Sequence, residues 1–336
     1  MMRRATLTLI YEGHDISEDI APGLLSFSFT EKAGGESDDV QIEISDRDRK
    51  WQETWIPQRG HTMRPSIVCR NWFEDGDMLT LDCGLFQVDE VEFSFDEIDK
   101  VTIKGIPGAV KPSIVGQKKT TGWQDRTLEQ IAGDIAARGG LSLVYKGSAV
   151  PFSRIDQRQE PDLAFLSRLG TENGFRVKAA DGKLIVIEGK LADAMSPLEL
   201  NRQLGSSFRV RIKSEGVYKG SKETYHDPQT GNLYESIKHD PNDPQTGKYL
   251  ELNMRTENLA AAHRVSSAKL REKNAGQIEG DWESIGDPRV RAGITLKTAG
   301  FGKLSETTFT VDEATHSITK SDGYRLSAKL KTALEY

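Results

Sequence analysis

Apolar and polar residues alternate along the first hundred residues with the period of two that is typical of β-strands. The clearest case is residues 40–45, whose three aliphatic side chains fall on one face. Further segments with strand character lie at 5–11, 24–30, 66–73, 79–82, 85–95 and 100–106. Residues 51–60 contain a proline and a glycine and are expected to form a loop. Closely spaced strands with one apolar face predict a compact antiparallel barrel or sandwich over residues 1–106.

Helical spacing replaces the strand pattern in the middle of the chain. Thr127 and Gln130 form a capping-box pattern, which starts helices. The apolar residues that follow recur on one helical face: Leu128, Ile131, Ala132, Ile135 and Ala136. A second helix is predicted from Pro161, because proline is favourable in a first turn. A hairpin with its turn at Asp181-Gly182 follows, so residues 107–203 are expected to form a small α+β domain.

The last third of the chain returns to strands, which predict a second β domain over residues 204–336. A polar hairpin and a helix are expected to interrupt it at about 219–280. Within this insertion HDPQTGNLYE at 226–235 is followed by the similar NDPQTGKYLE at 242–251, both with turn chemistry. Thr256 is the expected cap of the helix. The predicted fold class is therefore mainly β with an α+β insertion, comprising two tube-like antiparallel β-barrel domains and a small α+β domain.

One stretch occurs twice, as FQVDE at 86–90 and as FTVDE at 309–313. The second copy lies 223 residues after the first, and at this offset apolar residues fall on apolar residues without a gap from Arg64 to Gly105. Pro65, for example, falls on Pro288. The pattern predicts an internal duplication, with the stretch in the turn-side half of a barrel hairpin. The alternative is two unrelated hairpins of similar sequence.

Both copies supply candidate site residues with a structural or interface role. These are Phe86, Val88, Asp89, Glu90, Phe309, Val311, Asp312 and Glu313. Adjacent acids first suggest acid–base catalysis, which uses positioned carboxylates. However, strand alternation directs neighbouring side chains to opposite faces of a sheet. We therefore expect no shared catalytic site in either copy.

No other pattern predicts catalysis, a cofactor or a metal. The six histidines are dispersed, and the chain has no HExxH, Walker A, GxSxG or GxGxxG motif. The two cysteines, Cys69 and Cys83, fit a protein made in a reducing cytosol. Each is expected to act as a small buried hydrophobe. The sequence therefore predicts a protein that is not an enzyme.

Charge and hydropathy exclude further classes of function. The chain of 336 residues has a net charge of −6 and a pI near 5.7, which argues against a dedicated nucleic-acid binder. It has no apolar run of the length that a transmembrane helix needs, so we expect no membrane insertion. The N-terminal region also lacks the apolar core of a secretory signal.

One helix suggests a different function. The sequence from Trp123 through Ala136 resembles the first helix of a LysM module, a fold that binds peptidoglycan. The likeness covers that helix alone and lacks the flanking strand motif. The alternative function is therefore peptidoglycan binding or glycan cleavage, and a capped amphipathic helix packed on a sheet is the structural alternative.

The order of the motifs resembles the late-control D protein family, the baseplate hub of contractile phages and tailocins. It is related to the hub region of type VI secretion spike proteins. The mid-chain signature is carried by Gln157, Asp162, Phe165, Leu166, Leu169 and Gly174, and the C-terminal pattern by Gly286, Asp287, Pro288, Gly293 and His316. The resemblance covers most of residues 105–325 and is weaker over 1–60.

The resemblance implies a structural hub without enzymatic activity. The resemblance also implies a homotrimer with two barrels per chain, so that six similar units surround an axis and adapt a sixfold tail tube to a threefold central spike. Such rings are built by heterologous contacts that close, here expected between barrel edges. The implied partners are the tail tube or a tube-initiator protein, the spike and other baseplate proteins. The implied location is a virion or tailocin particle made in the host bacterial cytoplasm. A soluble β-rich binding protein unrelated to phages is the remaining alternative.

Overall fold

The computed structural model describes residues 2–35, 37–108, 110–203, 205–226, 231–242, 247–254, 258–334 and 336. Strands make up 50% of the structure and pair mainly antiparallel, and the prediction of a mainly β fold with an α+β insertion is confirmed. Three hydrophobic clusters form the core, one for the N-terminal strands, one for the middle of the chain and one for the C-terminal strands. None of the described helices has the length and apolarity that crossing a bilayer requires.

The N-terminal β unit is an antiparallel array in the order β3-β4-β8-β7-β5-β1. Its elements are β1 (Arg4–Tyr11), β2 (His14–Asp15), α1 (Ser17–Ile20), β3 (Leu24–Lys32), β4 (Asp39–Ser45), α2 (Lys50–Glu53), β5 (Thr62–Arg70), β6 (Met78–Asp82), β7 (Phe86–Phe95) and β8 (Asp99–Pro107). Alternate residues of β4 are buried, as its sequence predicts. The expectation of a loop throughout 51–60 is wrong at its start, since α2 buries Trp51 and the Asp46 carboxylate accepts the Trp51 N–H at 2.9 Å.

The middle unit combines helices with small sheets. Its elements are α3 (Pro112–Val115), β9 (Lys118–Thr127), α4 (Leu128–Gly139), β10 (Ser142–Lys146), β11 (Pro151–Pro161), α5 (Asp162–Glu172), β12 (Phe175–Ala180), β13 (Lys183–Glu188) and α6 (Gly189–Asp193). The predicted capping box at Thr127 and the hairpin turn at Asp181-Gly182 are both present. The ribbon of β9 and β11 was not predicted, because its strands are polar and form no regular apolar face.

The C-terminal β unit carries a second small sheet. Its elements are β14 (Leu198–Asn201), β15 (Ser207–Ile212), β16 (Gly220–His226), β17 (Leu233–His239), β18 (Tyr249–Met254), α7 (Leu259–Asn274), β19 (Ile278–Ile285), β20 (Thr295–Ala299), β21 (Thr308–Thr319) and β22 (Gly323–Thr332). Short 3-10 turns lie at Ala275–Gln277 and Gly302–Glu306. Asn258 caps α7 and accepts the Ala261 N–H at 2.9 Å. The expected cap, Thr256, and parts of both polar repeats (227–230 and 243–246) lie outside the described residues.

The two β units share one sheet. Within the described residues the strand order runs β15-β19-β22-β21-β3-β4-β8-β7-β5-β1-β2. The link is β21 with β3, where Glu313–Thr319 pairs antiparallel with Lys32–Ser26. The two units are therefore fixed to each other by backbone hydrogen bonds. The exact domain boundaries at 106 and 203 stay a prediction.

Removal of the capping box tests the local origin of α4. Thr127→Ala deletes the hydroxyl that accepts the Gln130 N–H at 3.2 Å. We expect a loss of about 1 kcal/mol in the local opening free energy of α4, because a first-turn N–H loses its partner. Hydrogen exchange of the first-turn amides measures this loss. Thr121→Ala in β9 is the matched control, and equal exchange in both variants would contradict the capping role.

Candidate functional site

The apolar residues of the duplicated stretch anchor two equivalent hairpins. Phe86 and Val88 are buried in the N-terminal cluster, and Phe309 and Val311 are buried in the C-terminal cluster. The stretch begins the first strand of each hairpin, so it lies at the end remote from the turn. The expectation that it forms the turn-side half is therefore wrong.

A β-bulge lies at the same place in both hairpins. The register shifts between Val88 and Glu90 in one copy and between Val311 and Glu313 in the other. The bulge adds a residue to one strand and breaks the alternation of faces. As a result, Asp89 and Glu90 are both exposed. The prediction that alternation directs the two acids to opposite faces is wrong for this reason.

Each acid of the two copies has its own basic partner. Lys104 Nζ lies 2.8 Å from Glu90, and Lys329 Nζ lies 2.8 Å from Glu313 at the equivalent cross-strand position. These hydrogen bonds raise the pKa of both lysines. The Asp carboxylates pair separately: Asp89 with Arg59 at 3.0 Å and Asp312 with Lys331 at 2.7 Å. Each of the four acids therefore forms a separate ion pair, and Glu90 and Glu313 pair across the strands of their hairpins.

The strand before each hairpin shows that the alignment of the two copies contains a gap. Met63 of β5 pairs with Phe86, whereas Leu296 of β20 pairs with Phe309. Met63 and Leu296 are 233 residues apart, not 223. The match of Pro65 to Pro288 is therefore wrong. The first copy contains the additional strand β6 between these elements, and the second copy has a shorter connection.

The two hairpins differ in what covers their outer edges. The Glu313–Thr319 segment of β21 pairs with β3 on one side and β22 on the other. The corresponding part of β7, from Glu90, pairs with β8 alone in the described chain. The described part of β15 likewise pairs with β19 alone. Among the described residues, β7 from Glu90 and β15 thus each have one edge that no strand covers, as do most of β1 and β14.

His316 lies inside the junction of β21 and β3. Its Nε2 is 2.9 Å from the Val290 carbonyl oxygen and its Nδ1 is 2.7 Å from the Tyr324 hydroxyl. Since a carbonyl can only accept, Nε2 carries the proton and Nδ1 accepts from Tyr324. The ring also stacks on Phe29 with centroids 6.3 Å apart. Burial lowers the pKa of His316 to about 4, so the histidine is neutral and structural at neutral pH.

A buried ion cluster behind the junction connects all three parts of the chain. Arg291 donates to both oxygens of Glu31, at 2.6 and 3.0 Å. Lys178, from the middle unit, lies 3.1 Å from Glu31 and 3.0 Å from Asp38. Burial raises the pKa of a carboxyl group, but the Arg291 and Lys178 cations outweigh it and hold the pKa of Glu31 at about 2. Glu31 therefore remains charged and fixes the three units together.

A second buried carboxylate ties the middle unit to the second copy of the repeat. Asp193 accepts from Arg176 at 2.7 Å and from Arg271 at 2.8 Å. It also accepts from the Thr310 hydroxyl at 2.7 Å and from the Leu334 N–H at 3.2 Å. Burial raises its pKa and the two guanidinium groups lower it, with a net lowering. Sequence patterns missed both carboxylate clusters, because their members lie far apart along the chain.

The described residues form no metal site, and both cysteines are buried. Among the described residues, no group of three or more His, Cys, Asp and Glu side chains could hold a metal ion. Cys69 and Cys83 are buried without a disulfide, and burial raises the pKa of Cys69 to about 12.

Trp123, the first residue of the LysM-like segment, lies on β9 rather than on a helix. It is buried and stacks on Phe165 at 6.3 Å.

Comparison with known sequences gives two phage relatives, while no protein-family model matches the chain. The "Probable baseplate hub protein" of Escherichia phage 186 is 29% identical over 219 residues, which are 63% of this chain and 54% of the relative. The protein of the same description from Escherichia phage P2 is 30% identical over 220 residues, with coverage of 63% and 54%. The chain thus spans about half the length of the curated relatives it matches.

Comparison with solved structures shows the same fold in tail proteins. The 43 kDa tail protein of prophage MuSo2 from Shewanella oneidensis has a TM-score of 0.69 at 14% identity, over 97% of this chain and 98% of that protein. The Neisseria meningitidis tail protein has a TM-score of 0.71 at 12% identity, covering 98% and 96%. An Escherichia coli component of the type VI secretion system has a TM-score of 0.54 at 13% identity, covering 92% and 73%.

The neutral state of His316 predicts a pH dependence of stability. The unfolded chain binds a proton near the ordinary pKa of 6.5, whereas the folded chain binds it only near 4. The free energy of unfolding should therefore fall as the pH drops from 6.5 to 4, by up to about 3 kcal/mol from this group. Urea unfolding across this range measures the loss. His316→Gln should lack this component, and an identical pH profile in the variant would contradict it.

Breaking the buried ion cluster should cost much more than breaking an exposed pair. Arg291→Met leaves the Glu31 carboxylate buried with one cation fewer, and we expect a loss of about 3 kcal/mol in the free energy of unfolding. Lys104→Met removes an exposed pair and should change stability by less than about 1 kcal/mol. Urea unfolding at pH 7 compares them. Equal losses would show that the cluster does not hold the units together.

Proposed function

We propose that this chain is a structural hub in the baseplate of a contractile phage tail. Its sequence relatives and the fold that it shares with tail proteins support a place in a baseplate hub family. The named relatives are baseplate hub and tail proteins, which is consistent with a non-enzymatic role. The observation that carries the proposal is the sequence match to two phage hub proteins together with a fold that covers nearly the whole chain.

The hub acts as a homotrimer that adapts a sixfold tail tube to a threefold central spike. Support comes from the two β units of one chain, which share the hairpin, the bulge and the cross-strand ion pair. Three chains supply six such units around one axis. Heterologous contacts between identical chains form a closed ring when the rotation closes. A rigid junction between the two units of each chain suits this role, because it fixes the angle between neighbouring units.

The partners follow from this position in the particle. One face of the ring meets the tail tube or a tube-initiator protein, and the other meets the central spike, with further baseplate proteins around the rim. The assembled location is the baseplate of a virion or tailocin, after synthesis in the host bacterial cytoplasm. The glycan-directed alternative gains no support, since Trp123 is buried against Phe165 and offers no exposed ring for stacking on a sugar.

Copy number and symmetry test the proposal. Native mass spectrometry of the purified chain should give a mass three times that of the 37.3 kDa monomer. Class averages of the protein, or of tail particles that contain it, should show a threefold ring with six peripheral lobes. A chain that stays monomeric at micromolar concentration and is absent from the baseplate axis of assembled particles would overturn the proposal.

A further inference from the structure

We infer that neighbouring chains join through a second copy of the internal strand junction. In this contact, which rests on the proposed homotrimer, the uncovered edge of β7 in one chain pairs antiparallel with the uncovered edge of β15 in the next. The internal junction joins the C-terminal hairpin to β3 of the N-terminal unit. The contact between chains joins the N-terminal hairpin to β15 of the C-terminal unit. The two types of contact then alternate around the ring.

Equivalent strands in the two units make β15 the counterpart of β3. The units share the orders β3-β4-β8-β7 and β15-β19-β22-β21. Starting from the valine before each bulge, the cross-strand rows are Val88–Gly105–Val40–Phe29 and Val311–Leu330–Gly280–Val210. Phe29 therefore corresponds to Val210, and Ser26-Phe27 corresponds to Ser207-Phe208. The bulges in turn make Glu90 the counterpart of Glu313.

Both edges carry exposed apolar residues on the face that is buried in the internal junction. Phe95 on β7 is 63% exposed and Ile212 on β15 is 68% exposed. Their counterparts at the internal junction are Ile318, which packs against the N-terminal core, and Glu31, which is buried in the ion cluster. Uncovered strand edges with apolar side chains are pairing sites, and here the partner has the complementary edge.

The register of the internal junction fixes the register between chains. Within one chain His316 lies opposite Phe29, and Glu313 lies opposite Lys32. Exchanging each residue for its counterpart places Phe93 opposite Val210. The resulting pairs are Glu90 with Lys213, Val91 with Ile212, Glu92 with Arg211, Phe93 with Val210 and Phe95 with Phe208. Apolar residues thus face apolar residues, or acids face bases, at five of the seven positions of this register, and the other two are Ser94 with Arg209 and Asp96 with Ser207.

Charge complementarity favours this partner over a random edge. The β7 edge and its turn carry Glu90, Glu92, Asp96 and Glu97, whereas β15 carries Arg209 and Arg211 and is followed by Lys213. Three of these charges also form ion pairs within the chain: Glu90 with Lys104, Arg211 with Asp281 and Lys213 with Glu279. Opposite charges across a strand pair stabilise it, and like charges directly opposite destabilise it. Two β7 edges, or two β15 edges, would therefore repel each other. This repulsion favours a heterologous contact between two different edges, which a closed ring of three chains requires.

A cysteine pair tests the register directly. Phe93→Cys with Val210→Cys in one chain places two thiols opposite each other across the contact, within the Cα separation that a disulfide spans. Under mild oxidation we expect covalent trimers on non-reducing gels. Each single variant should remain monomeric on the gel. Ser94→Cys with Val210→Cys is the register control, because residue 94 faces the other side of the sheet, and it should cross-link at least tenfold less.

A charge exchange gives a second, independent measurement. Glu92→Arg should weaken trimer assembly in native mass spectrometry at least tenfold, because it places Arg against Arg211. Adding Arg211→Glu should restore assembly. A wild-type trimer that neither cross-links through residues 93 and 210 nor responds to the charge exchange overturns this contact and leaves the hub proposal intact. A wild-type chain that never forms trimers overturns the hub proposal and this contact together.

Discussion

The backbone pairing of β3 with β21 is the constraint on which the architecture depends. Seven residue pairs, from Ser26 to Lys32 and from Thr319 to Glu313, merge two β units into one sheet. The pairing satisfies the hydrogen-bonding groups of two strand edges that would otherwise be exposed. Once these edges meet, His316 is enclosed between Phe29 and Tyr324 and is held neutral. The core of the N-terminal unit then includes Tyr324 and Ile318 of the C-terminal unit.

Two buried carboxylates, Glu31 and Asp193, stabilise this arrangement through ion pairs. Glu31 lies on β3 itself, so its ion pairs with Arg291 and Lys178 hold the junction strand in position. Asp193 ties the middle unit to the C-terminal unit, because it accepts from Arg271 of α7 and from Thr310 of β21. Buried charges require good geometry to offset their loss of hydration. Glu31 therefore restricts the relative positions of all three units, and Asp193 restricts the position of the middle unit on the C-terminal unit.

Sequence patterns predicted the local features well and the long-range ones poorly. The capping box at Thr127, the Asp181-Gly182 turn and the apolar faces of the strands depend on neighbouring residues, so they could be predicted. The offset of the repeat before Phe86 was wrong, because the strand predicted at 79–82 is the additional strand β6, and the pattern of one segment does not show that the second copy lacks a counterpart. The bulges at Asp89 and Asp312 were also missed. An extra residue in a strand depends on the partner strand, which periodicity in one segment does not reveal.

The proposed trimer offers an explanation for the differences between the two copies, since one copy finds its partner strand in its own chain and the other in the next chain. The C-terminal hairpin meets β3 within the same chain, so association costs no translational or rotational entropy. It can therefore place a small Ala314 and a polar His316 at the junction, with Tyr324 and Val290 supplying hydrogen bonds. The N-terminal hairpin has Val91 and Phe93 at these positions and Glu92 between them. In the proposed trimer, a contact between separate chains must offset the cost of association, and larger apolar groups flanked by complementary charge would do so. The proposed difference between a contact inside a chain and a contact between chains therefore accounts for the sequence divergence of the two copies.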